Sequence, residues 1–202
     1  MITKTIFSLA ALIIKFIIFY LFFLNAYADT VNKKYQPDEK GILALIYHRF
    51  GENKYPSTNI KIDIFKNHID IIKKNNLFFL DPKNFEFEFS NVSKEKKILL
   101  TIDDAFSSFY LNAWPILKKE KIPFILFVST ETVGKNGYMS WDEIIKISKH
   151  EFVTIGNHSH SHEYLLKYKF EDFKKDIDQS VKIFKNKLKF KPNFFSYPFG
   201  EY

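Results

Sequence analysis

The stretch Ile98-Leu99-Leu100-Thr101-Ile102-Asp103-Asp104 is an apolar run of strand length that ends in two neighbouring carboxylates. Adjacent carboxylates repel each other, and burying both costs free energy unless a cation or hydrogen bonds compensate. A metal ion at the end of the strand would supply that compensation. Aspartate is also common in turns and helix caps, so a purely structural role stays open for these two residues alone.

Short apolar runs like this one alternate with amphipathic runs along the rest of the chain. The runs that predict strands are Ile42–Tyr47, Leu77–Leu80, Ile98–Ile102, Phe124–Val128, Phe152–Ile155 and Phe194–Tyr197. The repeats that predict core-facing helix positions are Phe65, Ile69 and Ile72, then Phe173, Ile177, Val181, Phe184 and Leu188. A further helix is expected to start near Asn112, with Pro115 in its first turn. The alternation predicts an α/β fold with a parallel sheet, in which the residues after the strands gather at one edge.

A second polar cluster, Gly156-Asn157-His158-Ser159-His160-Ser161-His162, follows the apolar run Val153–Ile155. It contains three of the six histidines of the chain. His158 and His162 are four residues apart, so a helical turn would place both imidazoles on one face, as a shared metal ion requires. His160 would then point elsewhere. A pair of surface or core histidines without a metal is the alternative.

The absence of cysteine limits the chemistry of such a site. With no cysteine in the chain, thiolate ligands and thiol catalysis are excluded, and a metal must be held by histidine and carboxylate. Two histidines and one carboxylate leave positions for water and a substrate oxygen, which is the geometry of a hydrolytic metal centre. This donor set predicts a divalent metal cofactor, with Zn²⁺ favoured.

A third cluster, Phe195-Ser196-Tyr197-Pro198-Phe199-Gly200, ends an apolar run in proline and glycine. Such a loop can present a backbone N–H towards an oxyanion. Ordinary turns have the same composition, so the cluster is weak evidence by itself.

The order and content of the three clusters resemble the polysaccharide deacetylase family, the NodB-homology group of carbohydrate esterases. The TFDDG-like, H-[S/T]-x-x-H and R-x-P-[Y/F]-G-like motifs of that family correspond here to Thr101–Ala105, His158–His162 and Ser196–Gly200. The resemblance implies a distorted (β/α) barrel. It also implies a metal-dependent hydrolase that removes N-acetyl groups from a polysaccharide and needs no organic cofactor.

Carried over residue by residue, the resemblance assigns two kinds of role. Asp103 would be the general base, and the Phe199 backbone N–H would donate to the tetrahedral oxyanion. The implied metal ligands are Asp104, His158 and His162.

Other residues are implied at the substrate groove. Tyr197 and Pro198 belong to the loop that forms one side of the groove, and His48 lies in a Tyr-His element seen in one exported subgroup. Ser159 would brace the histidine motif by hydrogen bonds. Ser196 stands where many relatives have arginine, so any role of that arginine in orienting the base is absent or performed otherwise.

The end of the chain gives a further expectation. Family members continue through additional strands and a late Leu-x-His motif whose histidine acts as general acid. We therefore expect residues 41–202 to form a deacetylase domain whose final strands are missing. The alternative is a non-catalytic metal- or glycan-binding remnant of such an enzyme.

Residues 1–28 contain no acid and are almost continuously apolar from Ile6 to Leu24. They end in Ala26-Tyr27-Ala28, which has the small-x-small form of a signal-peptidase site. This segment predicts a signal peptide or, if uncleaved, an N-terminal membrane anchor, followed by a polar linker at residues 29–40. The domain is therefore expected outside the cytoplasm, with membrane contact only through the N-terminal segment.

The charge of the chain argues against nucleic-acid binding. The formal net charge is +7 at pH 7, and nearly all the positive charge is scattered lysine, with Arg49 the only arginine. Nucleic-acid recognition usually uses clustered arginine and lysine with base-stacking aromatics. An N-acetylated polysaccharide remains the expected partner.

Overall fold

The computed structural model describes residues 41–91 and 95–200. The predicted leader at residues 1–28 and the linker at residues 29–40 lie outside this part of the chain and stay predictions. Among the helices of the described residues, none combines the length and the apolar character needed to cross a membrane.

Seven strands form two sheets in the described residues, and all of the strand pairs are parallel. The strands are β1 (Gly41–Tyr47), β2 (Arg49–Phe50), β3 (Asn59–Ile60), β4 (Phe78–Phe79), β5 (Lys96–Ile102), β6 (Phe124–Val128) and β7 (Val153–Asn157). The larger sheet has the order β1-β5-β6-β7, with β4 beside the start of β5, while β2 pairs with β3. The predicted α/β fold with a parallel sheet is confirmed, and the described residues do not close the sheet into a barrel.

Five α-helices occur in the described part of the chain. They are α1 (Ile62–Lys74), α2 (Phe85–Ser90), α3 (Trp114–Glu120), α4 (Trp141–Ser148) and α5 (Phe170–Leu188). Helix α1 buries all three residues of its predicted apolar repeat. Helix α3 has Pro115 in its first turn, as predicted, and follows a π-helical turn at Phe109–Ala113. Helix α4 begins at a capping box in which Ser140 and Glu143 satisfy each other's backbone N–H groups.

Strands β5 and β6 are apolar on both faces, as is typical of parallel strands that are covered on both sides. Leu100 and Ile102 belong to the large cluster shared with the helices, whereas Leu99 and Phe127 belong to a smaller cluster on the other face. Phe127 pairs in register with Gly156 of β7. A Cβ atom at Gly156 would lie 2.3 Å from the Phe127 ring, so this pairing requires glycine.

The predicted apolar stripe of α5 is partly wrong. The buried side chains of α5 are Asp176, Ser180 and Phe184, and the other residues of the predicted stripe are only half-buried. Asp176 accepts hydrogen bonds from the loop after β7, and Ser180 accepts one from the last residue of β7. Helix α5 therefore contacts the end of β7 and the loop after it through polar side chains.

The last predicted strand is also not a regular strand. Phe195 forms a single parallel bridge with Asn157, in which the Asn157 N–H donates to the Phe194 carbonyl at 2.9 Å and the Ser196 N–H donates to the Asn157 carbonyl at 3.0 Å. Pro198 has no N–H to donate and begins a short 3₁₀ turn. The pairing beside β7 stops there.

Candidate metal centre

Four of the predicted site residues lie at the carboxyl ends of three strands in the larger sheet. Asp103 and Asp104 directly follow β5, His158 follows β7, and His48 follows β1. Pairing of β1 with β5 continues to the site, where the Asp103 N–H donates to the Tyr47 carbonyl at 2.8 Å. Parallel strands bring their carboxyl ends to one edge, so these side chains converge although they are far apart in sequence.

Asp104, His158 and His162 form a cluster whose ligand atoms all lie within 4.8 Å of one another. His162 Nε2 lies 2.8 Å from Asp104 Oδ1, and His158 Nε2 lies 3.6 Å from the same oxygen. Asp104 and His158 are buried, whereas His162 is half-buried. The structure thus brings together the three residues predicted as ligands and leaves one side partly open.

The chain from His158 to His162 is a loop and not the predicted helical turn. Ser159 and His162 have left-handed backbone angles, with φ values of 68° and 57°. The His162 N–H donates to Ser159 Oγ at 3.0 Å, so Ser159 braces the loop as expected. The imidazole centroids of His158 and His162 are 5.0 Å apart. This tight loop, and not a helical turn, brings the two rings together.

Left-handed backbone is concentrated in the three motifs. Five of the nine non-glycine residues with positive φ in the described chain are Asp104, Ala105, Ser159, His162 and Phe199. Each such residue costs about 1–2 kcal/mol, and strain of this kind clusters at functional sites. Ala105, with φ 55°, occupies the glycine position of the TFDDG-like motif.

A backbone carbonyl fixes the orientation of His158. His158 Nδ1 lies 2.8 Å from the carbonyl oxygen of Ser196, and because a carbonyl only accepts, Nδ1 carries the proton. Nε2 is then left with a lone pair directed at the cluster. Burial lowers the pKa of His158 to about 4, so the ring is neutral at pH 7 and suited to metal binding. Sequence reasoning missed this contact because the partner is a main-chain atom.

Helix α5 holds the histidine loop from the other side. The Asp176 carboxylate accepts the backbone N–H groups of His160 and Ser161 at 2.7 and 3.0 Å. The His160 ring points away from the cluster, as predicted, and its nitrogens contact Thr130 Oγ1 and Gln179 Nε2, each at 2.8 Å. An acidic residue within an otherwise apolar stripe was the available signal for the role of Asp176.

Asp103, the predicted general base, is buried beside the cluster. Its Oδ2 lies 3.9 Å from His158 Nε2 and 3.5 Å from Ser196 Oγ, while Oδ1 is buried without a hydrogen-bond partner among the described residues. Burial, and after it the charge of Asp104, raises the pKa of Asp103 to about 7. Such a carboxyl can take up a proton near neutral pH.

Asp104 and His162 stabilise each other's charged forms. Burial alone would raise the pKa of Asp104, but the hydrogen bond from His162 and the nearby imidazoles outweigh it and lower that pKa overall. Burial alone would lower the pKa of His162, but the hydrogen bond to Asp104 and its charge raise it overall. Two imidazole nitrogens and one carboxylate form a donor set that fits a divalent cation of the zinc type, and the unpartnered oxygen of Asp103 lies beside it.

The third motif lies beside His162. The Phe199 ring is 64% exposed, and its centroid is 5.2 Å from that of the His162 ring. Phe199 has φ 66°, and the Gly200 N–H donates to the Tyr197 carbonyl at 3.0 Å to close the turn. Pro198 is buried and Tyr197 is exposed, so the loop forms a rim at the open side of the cluster.

His48 lies within electrostatic range of the cluster. Burial lowers its pKa, the charge of Asp104 opposes that shift, and His162 adds to it. The neighbouring Tyr47 turns towards α1 instead, where its hydroxyl lies 2.8 Å from His68 Nδ1. The structure therefore places His48, but not Tyr47, near the proposed ligands.

Comparison with known proteins identifies the family of the chain. Residues 90–202 match the family described as polysaccharide deacetylase, and these residues include all three motifs. The chain therefore belongs to the polysaccharide deacetylase family.

Individual relatives agree with this membership. The chain is 27% identical over 158 residues to the poly-beta-1,6-N-acetyl-D-glucosamine N-deacetylase of Staphylococcus epidermidis, a match that covers 69% of this chain and 55% of that protein. It is 26% identical over 200 residues to the protein of the same name from Staphylococcus aureus strain N315, covering 85% and 69%. The chain thus spans little more than half the length of the first of these relatives.

Solved structures confirm the fold. IcaB from Ammonifex degensii superposes with a TM-score of 0.72 at 27% identity, over 81% of this chain and 76% of that chain. The Streptococcus pyogenes deacetylase PplD, solved in complex with acetate, superposes with a TM-score of 0.71 at 22% identity, over 81% and 75%. These matches confirm the α/β fold with its parallel sheet.

Proposed function

We propose that the protein is a metal-dependent N-deacetylase that hydrolyses the acetamido groups of an N-acetylated polysaccharide outside the cytoplasm. The observation that carries the proposal is the convergence of Asp104, His158 and His162 on one point, with the carboxyl of Asp103 directly beside them. Family membership and the names of the two staphylococcal relatives support the substrate class, with poly-β-1,6-N-acetylglucosamine as the first candidate.

The residues of the chain divide the chemistry between them. Asp103 takes a proton from the attacking water, because its buried carboxyl lies beside the proposed ligands and its Oδ1 has no hydrogen-bond partner among the described residues. The Phe199 N–H donates to the oxygen of the acetyl carbonyl as negative charge develops there. The C–N bond then breaks as the proton held by Asp103 passes to the sugar nitrogen, which releases acetate and leaves an amine on the sugar. A divalent metal, with Zn²⁺ the best fit to the donor set, would act as a Lewis acid and lower the pKa of water when bound by Asp104, His158 and His162.

The extracytoplasmic location rests on sequence alone. Residues 1–28 have the composition of a signal peptide or N-terminal anchor, and they lie outside the described residues. A polysaccharide of the cell envelope or of an exopolysaccharide matrix is a substrate that such a segment would make accessible. Contact with the membrane would then depend on whether the segment is cleaved.

Acetate release from N-acetylglucosamine oligomers with added zinc tests the proposal. We expect turnover by the wild type, its loss in Asp103→Asn, and wild-type turnover in the control Asp142→Asn, because Asp142 is exposed on α4. Zinc binding should persist in Asp103→Asn but be lost in His158→Ala. Equal turnover in wild type and Asp103→Asn would refute the assignment of the base. Stoichiometric zinc binding with no acetate release from any N-acetylated glycan would indicate the non-catalytic metal- or glycan-binding alternative.

A further inference from the structure

Four flat side chains lie in contact around Phe106, which is on the loop that carries Asp104. The guanidinium carbon of Arg49 lies 3.5 Å from the centroid of the Phe106 ring and 4.3 Å from that of Tyr55. The Phe106 centroid lies 4.8 Å from that of Tyr138, with 35° between the ring planes. We call Tyr55, Arg49, Phe106 and Tyr138 the aromatic platform. Tyr55 is its most accessible member at 54% exposed and Tyr138 is half-buried, whereas Phe106 is 5% exposed.

The platform is built on residues adjoining the metal centre. Phe106 comes two residues after the proposed ligand Asp104, and Arg49 directly follows His48. Tyr138 forms an antiparallel bridge with Phe106, flanked by hydrogen bonds of 2.9 Å from the Met139 N–H to the Ala105 carbonyl and from the Ser107 N–H to the Gly137 carbonyl. The position of Tyr138 relative to the metal centre is therefore fixed by the same loop that carries Asp104.

The loop that carries Tyr55 is held by several hydrogen bonds. The Glu52 N–H donates to Asn59 Oδ1 at 2.9 Å, and Asn59 Nδ2 donates to the Glu52 carbonyl at 2.8 Å. Tyr55 itself has φ 60°, although it precedes Pro56, where an extended backbone is the ordinary choice. A bulky residue held at such an angle costs about 1–3 kcal/mol, which points to a functional position.

The charges of the platform favour a neutral ligand. Arg49 Nη1 donates to both carboxylate oxygens of Glu52, at 3.2 and 3.1 Å, so its charge is already paired within the loop. The rings of Tyr55 and Phe106 also pack against the Arg49 guanidinium and make it less accessible to a ligand. An anionic glycan would have to compete with Glu52. The accessible surface is instead aromatic with hydroxyl groups, which suits the apolar C–H faces and the hydroxyls of a neutral sugar.

We propose that Tyr55 and Tyr138 form a glycan-binding subsite for a neutral N-acetylhexosamine unit of the polymer, adjacent to the unit that loses its acetyl group. The assignment rests on the proposed function for the identity of the polymer. Arg49 is a positioning residue that keeps Tyr55 and Phe106 in place. Burial and, after it, the charge of Asp104 raise the pKa of Tyr138, which agrees with a ring close to the metal centre.

Binding of N-acetylglucosamine oligomers, followed by calorimetric titration, tests the subsite. All variants carry Asp103→Asn and zinc so that binding is measured without turnover. We expect Tyr55→Ala and Tyr138→Ala each to weaken binding of a tetramer about tenfold, the scale of one lost aromatic contact, and to affect the monosaccharide less. Tyr55→Phe should retain most of the affinity. The control is Phe87→Ala, which removes an exposed ring from α2, on the chain segment leading to the amino end of β5.

The outcomes separate this inference from the proposed function. Acetate release by the wild type together with unchanged tetramer binding in both tyrosine variants would overturn the subsite and leave the function standing. Tetramer binding that depends on Tyr55 and Tyr138, without acetate release by the wild type, would support the subsite and overturn the function. Absence of tetramer binding to the zinc-loaded protein would also overturn the subsite. The subsite would also be overturned if an anionic oligouronate bound more tightly than the N-acetylglucosamine tetramer and if Arg49→Met abolished that binding.

Discussion

The same strands bury apolar side chains in the middle of the sheet and ionisable side chains at its carboxyl edge. In the middle, Leu100 and Leu126 are 1% and 0% exposed and pack against other apolar side chains. At the edge, Asp103 and Asp104 are 6% and 7% exposed, and Asp104 has left-handed backbone. Burial of apolar surface stabilises a fold, whereas buried charge and backbone strain oppose it. The edge therefore lowers the stability that the middle provides, as expected of a site kept for its chemistry.

The largest expected effect comes from removing the buried charge at the edge. Asp103 has a pKa of about 7 in the folded chain against 3.8 for the ordinary group, so the folded state binds the proton more tightly. Ionisation of Asp103 thus destabilises the fold progressively as the pH rises from about 4 to about 7, and fully above that. At 1.36 kcal/mol per pKa unit, we expect metal-free Asp103→Asn to exceed the wild type in unfolding free energy by up to about 4 kcal/mol at pH 8.

Urea denaturation at pH 8 and near pH 4 measures this effect. The difference in unfolding free energy between Asp103→Asn and wild type should vanish near pH 4. At pH 8, zinc should reduce this difference, because a cation stabilises the ionised carboxylate of the wild type. Asp142→Asn, at an exposed position, is the control. A metal-free Asp103→Asn that is less stable than wild type at pH 8 would contradict the comparison of edge and middle.

A smaller effect is expected from crowding the apolar contact between Phe127 and Gly156, which lies next to the carboxyl edge of the sheet. In Gly156→Ala the added methyl would meet the buried Phe127 ring at 2.3 Å, and we expect a loss of about 1–3 kcal/mol in the free energy of unfolding. Phe127→Leu in the same chain should recover part of the loss, because the smaller side chain makes room. If the two substitutions were simply additive, the proposed clash would be wrong.

The smallest expected effect comes from the loop at the edge. Ser159→Ala removes the buried hydroxyl that accepts the His162 N–H, and we expect about 1 kcal/mol lower stability together with roughly tenfold weaker zinc binding. Urea denaturation and competition with a zinc-sensitive dye measure the two quantities. Ser161→Ala is the matched control, because Asp176 holds that residue through its backbone N–H and its hydroxyl contacts Glu163 and Tyr168, not His162. Equal zinc affinity in both variants would show that Ser159 does not position His162.

The sequence predicted those parts of the molecule that follow from strand order and residue chemistry. Strand β6 has the predicted bounds, and Asp104, His158 and His162 converge because parallel strands end at one edge. The apolar repeat of α1 is buried as predicted, since that helix packs against an apolar surface. In these places the local pattern and the tertiary environment agree.

Other features depend on main-chain contacts that residue types do not reveal. Spacing alone assigned a helical turn to the histidine motif, whereas left-handed angles at Ser159 and His162 produce a loop. The carbonyl of Ser196 orients His158, and nothing in a serine side chain signals that role. The predicted apolar stripe of α5 was only partly right: Phe184 is buried as predicted, but Asp176 and Ser180 are also buried because they bond the loop and strand next to them.

The two hydrogen bonds that Asp176 accepts from the histidine loop have a consequence for folding. They order the loop whenever α5 is in place, so a metal ion would meet ligands whose conformational entropy has already been lost. Because only the folded chain assembles those ligands, a metal present at 100 times its dissociation constant would add about 2.7 kcal/mol to the stability of the whole domain. Metal supply would then govern the folded fraction of the protein as well as its turnover.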